Sequence, residues 1–282
     1  MKPIYTCFLI LILLQGCTII DRDDYLKDYT PSIPEGADVR FVLLEDYTGI
    51  RCKNCPSAAA LIATLSEVYG KRLIPVSIHA GYYARPINGV DLQTVAGNEY
   101  DDYFQIKGYP QGIVNRRLYK EAEFYPKDQW SGAIESVPER AEFGIELHID
   151  YSATDRSYTI NTDITRFESK GGKEPVLIFW LVEDNIITPQ MMESGETDYN
   201  YCQRHVFRGA LNNTWGESVA LSDAVNIPSK QQEKCYILPE AYEEKNCSIV
   251  ALLCDRDSKE ILQVKECSLT TFPTQQNRKR AD

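Results

Sequence analysis

Two patterns of hydrophobic and polar positions divide the chain, and they change near residue 142. Before that point, short apolar runs predict buried strands, and an alanine-rich stretch followed by Gly70 predicts a helix closed by that glycine. The predicted elements are strand 39–46, helix 55–69, strand 73–79, helix 92–104, strand 112–118 and helix 126–140. Strands that alternate with helices are typical of an α/β fold.

Beyond residue 142 the pattern predicts strands separated by turn residues, with no convincing long helix. A series of short strands without helices favours a β-sandwich for this half of the chain. The predicted strands are 143–151, 157–167, 176–183, 234–238, 248–255 and 261–267.

The N-terminal residues predict export and lipid attachment. The apolar run over 4–14 is shorter than the roughly 20 residues that a membrane-spanning helix needs, so we interpret residues 1–16 as a signal peptide. The run ends in Leu14-Gln15-Gly16-Cys17, which resembles a lipobox, with Cys17 as the lipidated residue and the lipid as its anchor. The alternative is an ordinary secreted protein in which Cys17 is incidental. Residues 17–36 are predicted to be a flexible tether, and residues 269–282 a disordered tail.

Composition narrows the classes of partner. The chain is 43% hydrophobic and 25% charged, as expected of a globular protein with a buried core. A net charge of -11 with only 30 Lys and Arg residues argues against a nucleic-acid partner, which would need clustered positive charge. We predict no cofactor and no metal, because a zinc site would need a second pair of ligands and the next cysteine after Cys55 is Cys202. The Cys202–His205 pair likewise has no visible partner pair.

The candidate chemistry is the motif Cys52-Lys53-Asn54-Cys55, which opens the first predicted helix. A cysteine at a helix N-terminus lies near unpaired backbone N–H groups and the positive end of the helix dipole, which favour its thiolate. Cys52 is then the exchanging sulfur, exposed and deprotonated near neutral pH, and Cys55 resolves the mixed disulfide. The competing interpretation is a disulfide in a domain that catalyses nothing.

Two further residues support the same chemistry. Asp46 precedes Cys52 by six residues, the spacing at which thioredoxins place a buried acid that accepts and returns a proton. Tyr109-Pro110 resembles the cis-proline loop that faces the CxxC motif in thioredoxin-like folds. We therefore predict a cis peptide bond at Pro110, close to the cysteine pair.

The residues around these positions resemble the outer membrane protein twenty-eight (Omp28-related) family of Bacteroidetes lipoproteins. The similar stretches are Glu45–Pro56, Ile78–Gly81, Tyr109–Arg116, His205–Arg208, Trp215-Gly216 and Cys247–Ala251. The resemblance implies a thioredoxin-like domain over 37–141, followed by an immunoglobulin-like sandwich over 142–268. It also implies the outer membrane as the location, on its periplasmic or cell-surface face. His79, Tyr109 and Arg116 are candidates for the rim of the site, although sheet-end hydrogen bonding is an alternative role for Arg116 and backbone contacts are one for His79.

Two functions follow from the sequence. One is a surface-exposed binding or adhesin-like lipoprotein with an unidentified surface ligand. The alternative is a membrane-tethered thiol–disulfide oxidoreductase that acts on exported cysteine-containing proteins through Cys52 and Cys55. Among the remaining cysteines, hairpin spacing predicts that Cys254 faces Gln263 and is a buried free thiol, and a bridge between Cys235 and Cys247 is a weaker prediction.

Overall fold

The fold follows from a computed structural model that describes residues 36, 38–168 and 173–270 of the chain. The predicted signal peptide, nearly all of the tether with its Cys17, and the tail beyond residue 270 lie outside the described residues. The helices are α1 Cys55–Tyr69, α2 Val95–Phe104 and α3 Trp130–Glu135. The strands are β1 Val42–Thr48, β2 Leu73–His79, β3 Gln111–Val114, β4 Phe143–Ser152, β5 Ser157–Arg166, β6 Pro175–Glu183, β7 Ile186–Met191, β8 Thr197–Gln203, β9 Val206–Ala210, β10 Glu217–Ser218, β11 Pro228–Lys230, β12 Lys234–Ile237, β13 Cys247–Asp255 and β14 Ile261–Ser268.

Strands from both halves of the chain form one mixed sheet. Its order is β14-β13-β6-β9-β2-β1-β3, and β10 pairs with β6. The junction between the halves is the parallel contact of Ser77 in β2 with Val206 in β9. Strands β1, β2 and β6 are buried along their whole length, which explains their nearly continuous apolar sequences. The division of the chain at residue 142 remains a prediction, but it is not a break in this sheet.

Both faces of the large sheet are covered. On one face, α1 and α3 pack against β1, β2 and β3, and strands β4 and β5 of a separate four-stranded sheet pack against β6, β13 and β14. On the other face, α2 packs on β2, β6 and β9 around the buried rings of Tyr100, Trp180 and Phe207. Strand β5 buries alternate residues because one of its sides faces the large sheet and the other faces outward.

Several element bounds differ from the predicted ones, and three of them have a clear local cause. Helix α2 begins at Val95 because the Thr94 side chain accepts a hydrogen bond from the backbone N–H of Gly97 at 2.9 Å and caps the helix. Helix α3 is short, and it ends before Val137, where the following Pro138 disfavours the helical conformation. Strand β3 ends at Val114 because the next two residues adopt positive φ angles.

The C-terminal cysteines are all free thiols. The predicted Cys235–Cys247 bridge is therefore wrong: Cys235 is exposed on β12, whereas Cys247 is buried at the start of β13, in the other sheet. Cys254 is a buried thiol as predicted, and burial raises its pKa. It faces Ile261 rather than Gln263 because a bulge follows Leu253. The ordered chain also extends past residue 268, since Leu269 is buried and donates a hydrogen bond to the Cys247 carbonyl at 2.8 Å.

Candidate functional site

The CxxC motif lies where the sequence predicts it, at the start of α1. Cys52 and Cys55 form a disulfide with 5.4 Å between their Cα atoms. Cys55 is the first residue of α1, and Pro56 follows it at a position where the missing N–H costs no helical hydrogen bond. The pair is therefore held against the positive end of the α1 dipole.

Both sulfur-bearing residues are buried. Cys52 and Cys55 each expose 3% of their surface, so the prediction that Cys52 is exposed is wrong for this oxidised state. The cause is close packing of the preceding loop. A Cβ atom on Gly49 would lie 2.4 Å from the Tyr83 carbonyl, and the Arg51 backbone N–H donates to that carbonyl at 2.8 Å. A side chain at Gly49 would push these two segments apart.

Asp46 lies on β1. Val42 and Leu44 pack against α1, and side chains two residues apart on a strand point to the same face, so Asp46 points to the face that α1 covers. Its exposed fraction is 1%, and Oδ1 has no hydrogen-bond partner among the described residues. Burial raises the pKa of Asp46 to about 7, and a hydrogen bond from Ser77 opposes the shift in part. A carboxyl group with this pKa can take up and return a proton near neutral pH.

His79 ends β2 at the same strand phase as Ser77, which faces Asp46 across the β1–β2 pair. It is 2% exposed, and burial lowers its pKa to about 4. In the described part of the chain, neither ring nitrogen has a hydrogen-bond partner of good geometry. The imidazole is therefore neutral at pH 7 and contributes no positive charge to a nearby thiolate.

The Tyr109-Pro110 peptide bond is cis, as predicted. The Tyr109 ring lines a cavity of about 490 Å³ together with Cys52, so this loop does face the CxxC motif. The Tyr109 hydroxyl donates a hydrogen bond to the Asp101 carboxylate in α2. Burial, followed by that contact, raises the pKa of Tyr109, which keeps the phenol protonated.

Arg116 does not lie at the rim of the cavity. Its guanidinium forms a two-pronged ion pair with Glu45, at 2.8 and 3.2 Å, and the two side chains are 1% and 0% exposed. Glu45 follows Leu44 along β1 and so points to the sheet face opposite Asp46. There the guanidinium carbon lies 4.7 Å from the centre of the Tyr100 ring. Arg116 is thus part of the core beside α2.

A hairpin that the sequence patterns missed completes the site. Strands β7 and β8 pair with each other, and the backbone N–H of Met191 in β7 donates to the Ile50 carbonyl at 2.8 Å. The Gln190 amide donates to the Cys52 carbonyl at 3.0 Å and accepts from the Gln203 amide at 3.0 Å. Both glutamines are buried, so the hairpin fixes the backbone of the CxxC loop through a closed amide network. The sequence signal for this hairpin is the Ser194-Gly195 turn, which lies between a stretch with β-branched residues in β7 and a stretch with tyrosines in β8.

The cavity beside Cys52 has a basic and aromatic lining. Arg51, Lys53 and Arg85 supply the charge, and no acidic residue lines it. The remaining lining residues are Cys52, Asn54, Tyr82, Tyr83, Tyr109 and Met191. The described residues contain no group of three or more His, Cys, Asp or Glu side chains that could hold a metal ion.

Comparison with known proteins then decides the family. The sequence model of the family described as outer membrane protein Omp28 matches residues 97–271, which is more than half of the chain. The chain belongs to the Omp28 family. No curated protein matches it.

Solved structures similar to this Omp28 family member include HBP35 of Porphyromonas gingivalis, with a TM-score of 0.63, 17% identity and coverage of 83% of this chain and 77% of that one. Protein AGR_C_4864 of Agrobacterium tumefaciens aligns with a TM-score of 0.50 and 14% identity, over 85% of this chain and 99% of that one. A domain of the outer membrane lipoprotein Omp28 from Porphyromonas gingivalis aligns over 46% of this chain and 88% of its own, with 20% identity and a TM-score of 0.32. At these identities the first two likenesses show the fold alone.

Membership of a family described as outer membrane protein Omp28 confirms the predicted location in the outer membrane, and the lipid anchor remains a prediction. The cysteine predicted to carry the lipid, Cys17, lies outside the described residues. No helix in the part of the chain that the structure describes is long and apolar enough to span a bilayer.

Proposed function

We propose that this Omp28 family member is a membrane-attached thiol–disulfide exchange protein that acts on exported cysteine-containing proteins. The observation that carries the proposal is the Cys52–Cys55 disulfide at the N-terminus of α1, with Asp46 buried on the adjacent strand at a pKa of about 7. The ring of Tyr109, from the loop that faces the CxxC motif, lines the same cavity as Cys52.

The reaction is a reversible two-electron exchange. The reduced protein attacks a partner disulfide through the Cys52 thiolate, which forms a mixed disulfide and releases one partner thiolate. Cys55 then loses its proton to Asp46 and attacks the Cys52 sulfur, which restores the Cys52–Cys55 disulfide and releases the second partner thiolate. The partner disulfide is reduced as the protein is oxidised, and the reverse sequence oxidises a partner dithiol.

The organisation that we propose with this function is a thioredoxin-like domain over 37–141 and an immunoglobulin-like domain over 142–268. The order of β1, α1 and β2 around the CxxC motif supports the first part. The packing of the β4–β5 sheet on β6 and β13 supports the second. The two domains then share strands of a single sheet rather than meeting across a linker.

Trapping tests the proposed exchange. In the Cys55→Ser variant the nucleophile remains and the resolving sulfur is gone, so mixed disulfides with exported proteins should accumulate and disappear on reduction. The matched Cys52→Ser variant should trap none. Reduced wild-type protein should also lose one thiol rapidly to iodoacetamide at pH 6–7, and that thiol should be absent from Cys52→Ser. A Cys52 pKa at or above its ordinary value of about 8.5, together with no trapped partner, would refute the exchange.

A second candidate function is a binding or adhesin-like surface lipoprotein in which the disulfide is structural. The observation in its favour is that Cys52 and Cys55 are each only 3% exposed. In that case the Cys52→Ser variant would lose stability, and reduction would change no partner's redox state. Measurement of unfolding and of trapped partners in the same variants therefore separates the two functions.

A further inference from the structure

The cavity beside Cys52 carries positive charge that nothing nearby neutralises. Lys53 and Arg85 are exposed and Arg51 is half-buried. None of these three side chains has a carboxylate within salt-bridge distance among the described residues. The whole chain has a net charge of -11, so the charge of the three cavity cations is opposite in sign to the net charge of the chain.

Backbone carbonyls orient two of these cations without cancelling their charge. The Arg51 guanidinium donates to the Arg85 carbonyl at 3.0 Å and to the Pro86 carbonyl at 2.5 Å. The Arg85 Nε donates to the Tyr82 carbonyl at 3.2 Å, and its guanidinium carbon lies 3.8 Å from the centre of the Tyr82 ring. A cation fixed in this way loses less side-chain entropy when it meets an anion.

Exposed aromatic rings form the other wall of the cavity. Tyr82 is 64% exposed and Tyr83 is 40% exposed. The Tyr83 ring contacts the Tyr82 ring at 5.3 Å and the Tyr109 ring at 5.5 Å between centroids, so the three rings form a continuous surface. Tyrosine and arginine together are the residues most enriched where proteins recognise other proteins.

Resting on the proposed exchange function, we propose that this cavity selects cysteine-containing protein segments that carry acidic residues next to the reacting cysteine. The acidic side chain meets Arg85 and Lys53, and an apolar neighbour packs on Tyr82 and Tyr83. A partner segment in this cavity lies beside the reacting residue, because Cys52 lines the cavity together with Lys53 and Arg85. Charge complementarity at the rim of a contact acts mainly on the association rate and depends on salt.

The test compares matched peptides on the full chain. Ten-residue peptides that contain one cysteine, linked to a chromophoric thiol, carry either two aspartates or two lysines beside that cysteine. The rate of chromophore release by the reduced protein is divided by the rate with a neutral dithiol reductant, which removes the intrinsic difference between the peptides. We expect the aspartate peptide to react about 10-fold faster at low salt, with most of that preference lost at about 0.5 M salt.

Two charge reversals locate the effect. Arg85→Glu should abolish or invert the preference, whereas Lys230→Glu, which makes the same change of charge at an exposed position on β11, should keep it. Provided that the reduced protein reacts faster than its Cys52→Ser variant, equal normalised rates for the two peptides, or a preference that Arg85→Glu leaves intact, would overturn the inference.

A binding measurement keeps the two proposals distinguishable. Versions of the peptides with serine in place of cysteine are bound to the oxidised protein and followed by fluorescence anisotropy. Tighter binding of the aspartate version that is lost in Arg85→Glu would support the charge selection. This conclusion would hold even if the reduced protein reacted with no peptide faster than the Cys52→Ser variant does. That second result would refute the exchange function alone. Equal binding of both versions would overturn the charge selection.

Discussion

Burial of the Asp46 carboxyl group raises its pKa and lowers the stability of the folded protein at neutral pH. A carboxyl group whose pKa is raised in the folded protein binds its proton more tightly there than in the unfolded chain, so it costs stability wherever the unfolded chain would ionise it. The pKa of Asp46 rises from an ordinary value of 3.8 to about 7. That cost is absent below pH 4, grows between pH 4 and 7, and then stays constant. Such a cost is tolerable where the group has a function to perform.

Substitution of Asp46 tests this cost in stability. Asp46→Asn should leave the free energy of unfolding nearly unchanged at pH 3.5 and raise it at pH 8, by up to about 4 kcal/mol for a pKa of about 7 in place of 3.8. Urea unfolding at the two pH values measures the difference. Asp223→Asn, at an exposed position, should show no such dependence on pH. A stability gain at pH 3.5 equal to that at pH 8 would show that burial of the charge is not the cause.

The Glu45–Arg116 pair is a second residue-scale feature, and here the charges satisfy each other. Because both side chains are almost fully buried, Glu45→Gln leaves the guanidinium without its counter-charge and should cost about 3–5 kcal/mol of unfolding free energy. The control is the exposed pair of Arg140 and Asp38, where Asp38→Asn should cost less than about 1 kcal/mol. Similar losses in the two variants would contradict the buried pair's structural importance.

For single residues, the sequence predicts the position of a side chain well where a known motif fixes it, and poorly where an unforeseen turn of the backbone redirects it. The resemblance of the Asp46–Cys52 spacing and of Tyr109-Pro110 to thioredoxins implies a buried acid and a cis bond, and the structure has both. Arg116 was expected at the rim. Positive φ angles at Asn115 and Arg116 turn the chain there, and the side chain enters the core instead.

Among the elements, the β7–β8 hairpin contributes most that the sequence did not predict. Its strands do not alternate apolar and polar residues regularly, so periodicity gave no strand signal. Its importance comes from two buried glutamines, one of which bonds to the distant Cys52 carbonyl. The pKa of Tyr201 in β8 is raised, first by burial and second by the negative charge of Asp46. The hairpin thus contacts the CxxC loop, and the charge of the buried acid acts on one of the hairpin's tyrosines. By contrast, α1 and the long strands of the sheet were recognisable, because helix propensity and apolar runs are local signals.

Removal of the Gln190 amide tests whether the hairpin restricts Cys52. In Gln190→Leu the Cys52 and Gly49 carbonyls lose a buried donor, and the loop should open more easily. A loss of about 1.4 kcal/mol in local stability corresponds to about 10-fold faster alkylation of Cys52 in the reduced protein, measured by mass spectrometry of the modified peptide.

The matched control is Gln231→Leu, which removes an amide of similar burial that bonds to the Ala220 and Ser229 backbone, away from the site. It should lower global stability by a comparable amount and leave the alkylation rate of Cys52 unchanged. If both variants accelerate alkylation equally, the effect is general loosening and the hairpin has no specific role.

For the whole molecule, the predicted lipid attachment rests on one residue, Cys17, outside the described fold. Cys17→Ser should prevent lipid attachment and release the protein in soluble form, since a signal-peptide core of this length cannot anchor it. Membrane fractionation and mass spectrometry of the N-terminus measure the outcome. A variant that still sediments with the membrane would contradict the lipobox assignment. The fold itself should be unchanged, so unfolding of the described domain serves as the internal control.

Because strands from both halves of the chain share one sheet, we predict that the first half does not fold without the second. If residues 37–141 formed an independent domain, they would fold alone. In the structure, however, β2 pairs with β9, and the core beside α2 contains Trp180, Val182 and Phe207 from the second half of the chain. Each such side chain contributes about 1.5–3 kcal/mol by burial, and a small domain has only about 5–15 kcal/mol of net stability.

Truncation after residue 141 should therefore leave α2 without its core and β2 with an unpaired edge. We expect the fragment 37–141 to bind a hydrophobic dye, to show poorly dispersed amide resonances and to aggregate, whereas residues 37–270 unfold in one cooperative transition. A fragment with dispersed resonances and a cooperative melt would instead establish an independent first domain. The CxxC disulfide offers a control for the result. It closes only the short loop from Cys52 to Cys55 that leads into α1, so its presence in the fragment should not restore the missing core.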